Sequence, residues 1–262
     1  MSKEENIKKA ADLLYAASTS GQACDPIRTL IDEGDLDAAY KIQEINTKRG
    51  LDAGRRLVGR KIGLTSKAVQ NQLGVGQPDY GMLFADMART EAEEVKLSDI
   101  LQPKVEAEIA FVLGKDLDNP NATMAEVFQA IDYAVAAIEI VGSRVKNWDI
   151  KITDTIADNA SSGLYVLGSS PKKLSDFDPR LCGMVMENKG EPVSVGAGAA
   201  CLGSPLNATL WLAQVMAKVG YPMRAGDTIL SGALGPMVAV KPGDVFDVKI
   251  NGLGRVSAFF SE

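Results

Sequence analysis

The segment Val105-Glu-Ala-Glu-Ile-Ala-Phe111 carries two carboxylates, Glu106 and Glu108, two residues apart. In an extended strand, residues i and i+2 share a face, about 6.6 Å apart along the chain. The two acids therefore point together, while Val105, Ala107, Ile109 and Phe111 take the apolar face. The pattern fits a solvated acidic strand face, and it fits a pair of ligands. Glu139 adds a constraint. It is the only charged residue in Ala134-Val-Ala-Ala-Ile-Glu-Ile-Val141, and a carboxylate buried in such a run is costly unless it is paired, hydrogen-bonded or protonated. A buried salt bridge to a Lys or Arg would answer this. So would a divalent cation gathered by Glu106, Glu108 and Glu139 together. All-oxygen ligation selects hard ions, Mg2+ or Mn2+, with Ca2+ admissible.

Lys61, in Val58-Gly-Arg-Lys-Ile-Gly-Leu64, is either a solvent-facing strand lysine or an inward cation able to stabilise an enolate or donate a proton. Asp79, between Pro78 and Tyr80, is either ordinary turn chemistry or a general acid/base. Residues 154–162 are dense in small polar groups, and form either a capped helix start or a segment that closes over a ligand. The chain has no histidine. This removes Ser-His and Cys-His nucleophile pairs and every imidazole-built zinc site. Acid–base work must fall to carboxylates, Lys, Tyr or metal-bound water. Cys24, Cys182 and Cys201 form no CxxC motif and are expected to be packing residues in a reducing compartment. Gly196-Ala-Gly198 lacks the third glycine of a dinucleotide fingerprint, because Cys201 stands there.

The elements that must hold these groups are legible as patterns. Ile7, Ala10, Ala11, Leu14 and Tyr15 repeat at helical spacing, and Ala38, Ile42 and Ile45 do so in a second helix over 36–49, capped by Asp35 and stopped by Gly50. Residues 58–64, 103–113 and 136–141 read as strands, and 77–81 as a turn. Thr123-x-x-Glu126 opens a helix running to about Ala134. Ser204-Pro205 opens another, with Leu206, Leu210, Ala213 and Ala217 on its apolar face. Residues 245–250 and 255–260 form a hairpin about Asn251-Gly252. The fold class expected is α+β: a helical N-terminal region over 1–56 joined to a β-rich catalytic domain over 57–262.

The composition closes off other partners. Of 262 residues, 28 are Lys or Arg and 34 are Asp or Glu, a net charge of −6. Without basic clusters, no nucleic-acid partner is expected. The longest apolar run, 134–141, is far short of the ~18 residues of a membrane span. No signal-peptide core opens the chain, so a cytoplasmic location is expected.

Six ordered segments carry a resemblance over roughly residues 13–260. They are Gly59-Arg-Lys-Ile-Gly-Leu-Thr-Ser66, Leu73-Gly-Val-Gly-Gln-Pro-Asp-Tyr-Gly81, Pro103-Lys-Val-Glu-Ala-Glu-Ile-Ala110, Ile138-Glu-Ile-Val-Gly-Ser-Arg144, residues 154–162 and Gly226-Asp-Thr-Ile-Leu-Ser-Gly232. The chain resembles the 2-hydroxypenta-2,4-dienoate hydratases (2-keto-4-pentenoate hydratases) and their sister 4-oxalocrotonate decarboxylases, in the fumarylacetoacetase-like superfamily. The resemblance implies a fumarylacetoacetase-like catalytic domain, Mg2+ or Mn2+ as cofactor, a homo-oligomer, and a role in aromatic meta-cleavage catabolism. By position, it makes Glu106, Glu108 and Glu139 the metal ligands, and Lys61 and Asp79 the charge-stabilising and acid–base groups. The substrate implied is a small 2-oxo or 2-hydroxy-dienoic acid. The implied reaction is ketonisation of 2-hydroxypenta-2,4-dienoate with protonation at C5, then addition of water at C4 to give 4-hydroxy-2-oxopentanoate. Ser161-Ser162 is closer to the decarboxylase branch, for which Arg144 is a candidate to hold a second carboxylate. A third alternative is a non-catalytic subunit of a hydratase–decarboxylase complex.

Overall fold

A computed structural model describes residues 2–67, 70–71 and 75–262. Leu73 and Gly74, in the second of the resembling segments, lie outside the described residues. Helix α1 (Lys3–Ser20) opens on a capping box between Ser2 and Glu5 and ends at Gly21, whose φ of 68° suits a left-handed cap. Helix α2 (Leu36–Asp52) begins at Asp35, whose side chain accepts from the Ala38 N–H at 3.1 Å. The two helices bury Ile7, Ala10, Ala11, Leu14, Ala38, Ala39 and Ile42 against Val145, Ile156 and Ala157. Two expectations are corrected here. Tyr15 lies outside the buried stripe, 46% exposed under the Arg49 guanidinium. Gly50 does not stop α2 but sits within it, buried. A Cβ there would come within 3.1 Å of the Phe84 ring, so this glycine serves a close approach rather than a terminus.

The rest is two sheets. The larger is built from β1 (Leu57–Gly63), β2 (Asp79–Phe84), β3 (Ala88–Arg89), β5 (Lys104–Leu113), β6 (Ile131–Val141), β7 (Leu164–Leu167), β10 (Thr228–Ala233) and β11 (Val238–Ala239). Its order is β2-β1-β10-β5-β6-β7-β3, with β11 on the start of β5. The smaller has the order β4-β13-β12-β8-β9, from β4 (Glu94–Lys96), β8 (Gly183–Asn188), β9 (Glu191–Ala197), β12 (Val245–Ile250) and β13 (Gly254–Ser261). β12 and β13 pack on β6, and Phe111, Ile138, Phe246 and Val256 share one buried core. The architecture is α+β.

Helix α3 (Met124–Ala130) has the expected capping box but hands over to β6 at Ile131, so residues 131–134 are strand, paired to 111–113 of β5. Helix α4 (Ile152–Ala157) starts the polar segment, and α5 (Pro205–Lys218) begins at Ser204. The core stripe of α5 runs through Pro205, the expected Leu206, Ala208, Thr209, Leu212, the expected Ala213 and Met216, leaving the expected Leu210 and Ala217 at its margin. Residues 79–81 are fully buried strand rather than turn. Pairing of β2 to β1 satisfies their backbone, with Asp79 opposite Gly63.

Candidate active site

The antiparallel register of β5 and β6 sets Glu106 directly opposite Glu139. Like charges at such a position repel, so something else must hold them. Strand alternation adds Glu108 to the same face. One carboxylate oxygen from each of Glu106, Glu108 and Glu139 lies within 4.8 Å of the other two. Glu108 and Glu139 are fully buried and Glu106 is partly exposed. Lys61, 3% exposed on β1, brings its Nζ to 3.2 Å from Glu139 Oε1. The salt-bridge reading of Glu139 and the metal reading are thus not exclusive: one lysine faces three carboxylates.

Asp79 stands beside them with no exposed surface. Its fit depends on glycine. A Cβ on Gly63 would lie 2.2 Å from Asp79 Oδ1 and 3.4 Å from Lys61 Nζ, and one on Gly81 would lie 2.3 Å from the Asn159 carbonyl. Residues 159–161 all hold positive φ, 53°, 52° and 55°, which costs non-glycine residues about 1–2 kcal/mol each. The Asn159 amide pins this wall by bonding both the N–H and the carbonyl of Met82, at 2.7 and 2.9 Å. Local strain of this kind gathers at functional sites.

The electrostatics follow from burial. Desolvation, then Glu139, pushes Glu106 up to about 7, and Lys61 draws it back. Desolvation, then Glu139 and Glu106, raises Glu108 well above the carboxylate range. Burial raises Glu139 too, against the pull of Lys61. Burial pushes Asp79 up to about 6, with Lys61 opposing and Glu139 adding to the shift. For Lys61, burial alone would lower the pKa, but Glu139, Asp79, Glu106 and Glu108 together outweigh it, and the shift is upward. Lys61 therefore stays an ammonium at neutral pH, whereas Asp79 titrates close to it.

The donor set fits a hard divalent cation. Glu108 Oε1 and both Glu139 oxygens are buried without a hydrogen-bond partner among the described residues. Carboxylates this close hold one another's pKa high, and a small dication is the group that offsets them. Glu108 is orientated by its other oxygen, which accepts from the Gly232 N–H at 2.8 Å.

Gly232 was not legible as a site residue. Its φ is 112°, and a Cβ there would strike Thr65 Oγ1 at 2.4 Å; in the sequence it is only the last residue of the resembling segment Gly226–Gly232, with no sign of a role. Nor was Tyr40, which reaches from α2 to stack on Tyr80 with centroids 4.5 Å apart. Arg144, by contrast, is committed elsewhere. It binds the Asp158 carboxylate and donates to the Ser162 carbonyl at 2.8 Å, lining a cavity of about 620 Å³ between the N-terminal helices and the large sheet. None of Lys61, Asp79 and the three glutamates lines that cavity. The cysteines are free, as expected, and Cys201 is packed behind Glu108 with its thiol pushed up to about 12 by burial.

Residues 58–260 match the fumarylacetoacetate hydrolase C-terminal family. The chain belongs to this family, in its 2-keto-4-pentenoate hydratase branch. It is 72% identical over 256 residues to the TodF product hydratase of Pseudomonas putida, covering 98% of this chain and 96% of that one. It is 59% identical to the 2-keto-4-pentenoate hydratase of Paraburkholderia xenovorans, covering 97% and 94%. Among solved structures, it matches the 4-oxalocrotonate decarboxylase of Pseudomonas putida G7, complexed with magnesium and adipate, at a TM-score of 0.93 and 35% identity, covering 99% and 98%. No helix among the described residues is long and apolar enough to cross a membrane.

Proposed function

We propose that this protein is a divalent-metal-dependent hydro-lyase that converts 2-hydroxypenta-2,4-dienoate into 4-hydroxy-2-oxopentanoate. The observation that carries the reading is the cluster of Glu106, Glu108 and Glu139 oxygens beside the Lys61 ammonium, in a chain so close to curated hydratases. Residues 1–56 serve as a helical buttress and 57–262 as the catalytic domain. Glu106, Glu108 and Glu139 would hold Mg2+ or Mn2+, the hard ions their oxygen donors favour. Such an ion supplies Lewis acidity toward the oxygens of a bound α-oxo acid.

The chain's own groups do the rest. Lys61 keeps a fixed positive charge where negative charge develops on the substrate's C2 oxygen. Asp79 is held near the neutral range and moves the proton. It takes the enol proton from O2 and delivers it to C5, then, ionised again, accepts a proton from the water that attacks C4 and returns it to C3. Burial of Asp79 and Lys61 keeps bulk water from competing for these transfers.

The decarboxylase reading needs a cation for a second carboxylate, and its candidate, Arg144, is already bound to Asp158. The reading as a non-catalytic subunit is disfavoured by a complete set of buried acids that a scaffold has no need to keep. The family resemblance supports a homo-oligomer, with association to a sister decarboxylase as a further expectation, and the free thiols suit the cytoplasm. The test is turnover of 2-hydroxypenta-2,4-dienoate followed by its ultraviolet absorbance, with product identified by NMR and CO2 release measured from 2-oxo-3-hexenedioate. We expect hydration without CO2 release, and a fall of about 10²–10⁴-fold in Asp79→Asn, the range general acid–base catalysis supplies. CO2 release as the dominant reaction would reverse the assignment.

A further inference from the structure

Resting on the hydratase reading, we infer that Lys104 is the cation that draws in and seats the carboxylate of the anionic substrate, at the open end of the acidic face. Exposure along β5 gives the direction of entry. Glu108 is fully buried, Glu106 is partly exposed, and Lys104, the next residue on that face, is partly exposed as well. Strand alternation sets Lys104 on the side of Glu106 and Glu108, about 6.6 Å along the strand from Glu106. Its neighbours across the ladder are Val141 on β6 and Ala239 on β11. Neither offers a charge, and Lys104 takes part in no salt bridge among the described residues.

The ammonium is nonetheless fixed. Its Nζ sits 4.1 Å from the centroid of the Trp148 ring, a cation–π contact that orders the side chain without neutralising it. The ring is itself held, since the Trp148 indole N–H donates to the Gln102 carbonyl at 2.9 Å and the backbone N–H of Asn147 donates to Gln102 Oε1 at 2.7 Å. Trp148 and Asn147 adopt positive φ, 53° and 59°, to keep this loop against the start of β5. A lysine pre-ordered over an aromatic face, feeling Glu106 along the strand but in salt-bridge contact with no carboxylate among the described residues, is prepared for an anion from outside.

The charge balance says why one is needed. The three glutamates are offset in full by a divalent ion and Lys61, and an ionised Asp79 then leaves a surplus negative charge. A substrate carboxylate approaching this cluster meets no net attraction from those groups, and the chain as a whole is acidic, at −6. Lys104 supplies the missing positive charge at the entrance, where it both steers and orients.

The test is the Lys104→Met variant, with Lys104→Arg beside it. For 2-hydroxypenta-2,4-dienoate, KM is expected to rise about tenfold in Lys104→Met with kcat within twofold, and Lys104→Arg is expected to restore most of the loss. Raising ionic strength is expected to narrow the gap in kcat/KM between wild type and Lys104→Met, as screening removes what the substitution removed. Calorimetric binding of the unreactive 2-oxopentanoate to the manganese-loaded protein is expected to weaken in parallel. Manganese affinity of the metal-free protein, read by electron paramagnetic resonance, is expected to hold or tighten, since deleting a cation does not repel another. Unchanged KM, unchanged salt response and unchanged 2-oxopentanoate binding would overturn the assignment. If the wild type does not hydrate the dienoate, the hydratase reading fails, while the 2-oxopentanoate titration still judges Lys104. Should Lys104→Met not fold, Lys104→Gln, which keeps the stem over the ring, carries the same measurements.

Discussion

Two regions of this molecule bury acids completely, and they treat them in opposite ways. At the junction of the N-terminal helices with the large sheet, Asp154 accepts from the Arg28 N–H at 3.0 Å, from its guanidinium at 2.6 Å and from the Lys151 N–H at 2.9 Å. Asp158 is gripped by the backbone and guanidinium of Arg144. On the acidic face of β5 and β6, Asp79 has no hydrogen-bond partner on either oxygen among the described residues, Glu139 has only the Lys61 ion pair, and Glu108 leaves one oxygen free. The first arrangement fixes chain segments to one another. The second tolerates unspent electrostatic energy that a proton or a bound cation would discharge, and this difference separates a joint from a candidate reaction centre more clearly than burial does.

The sharpest way to break the comparison is Glu139→Gln. On the acidic face, loss of one candidate ligand should abolish manganese binding and lower turnover about a thousandfold, a barrier increase of about 4 kcal/mol. The same change should raise the thermal midpoint of the metal-free protein, because it removes a buried charge; paired calorimetry and turnover measurements check both halves. At the junction the sign reverses. Asp158→Ala strands Arg144 and should destabilise the fold by about 3–5 kcal/mol in urea unfolding, with an unchanged manganese affinity in whatever protein remains folded. The smallest effect, taken per pH unit, is that of pH on the metal-free protein. Asp79 is raised from 3.8 to about 6 and Glu106 from 4.5 to about 7. Between those values, the folded state binds more protons than the unfolded one, so stability falls as pH rises from about 4 to 7. Asp79 alone contributes on the order of 3 kcal/mol across that window. Saturating Mg2+ should flatten the profile, and urea midpoints measured at pH 5 and pH 7 with and without the ion would show it.

Much of this is legible in the sequence, and the reasons are local. Period-two alternation in 105–111 put Glu106 and Glu108 on one face, and the isolation of Glu139 in an apolar run marked it as a charge in need of company. Helix caps at Asp35, Thr123 and Ser204 lie where side-chain chemistry allows. What stayed hidden depends on contacts distant in the chain. Asp79 reads as a turn residue because it follows Pro78 and stands two before Gly81, yet pairing with β1 makes it strand. Arg144 reads as a free cation in the sequence, but Asp158, fourteen residues on, holds it. The Gly232 N–H that orients Glu108 comes from residues far along the sequence, and nothing in local pattern announces it.

The placement of Glu106 across from Glu139 has a further consequence. Sliding β6 by a single residue against its neighbour would turn Glu139 through to the opposite side of the sheet and present Ile138 or Ile140 instead. Misthreaded copies of the chain would therefore be unable to capture the ion, and the bound dication would act as a proofreader of strand alignment, rewarding the one threading in which the enzyme works.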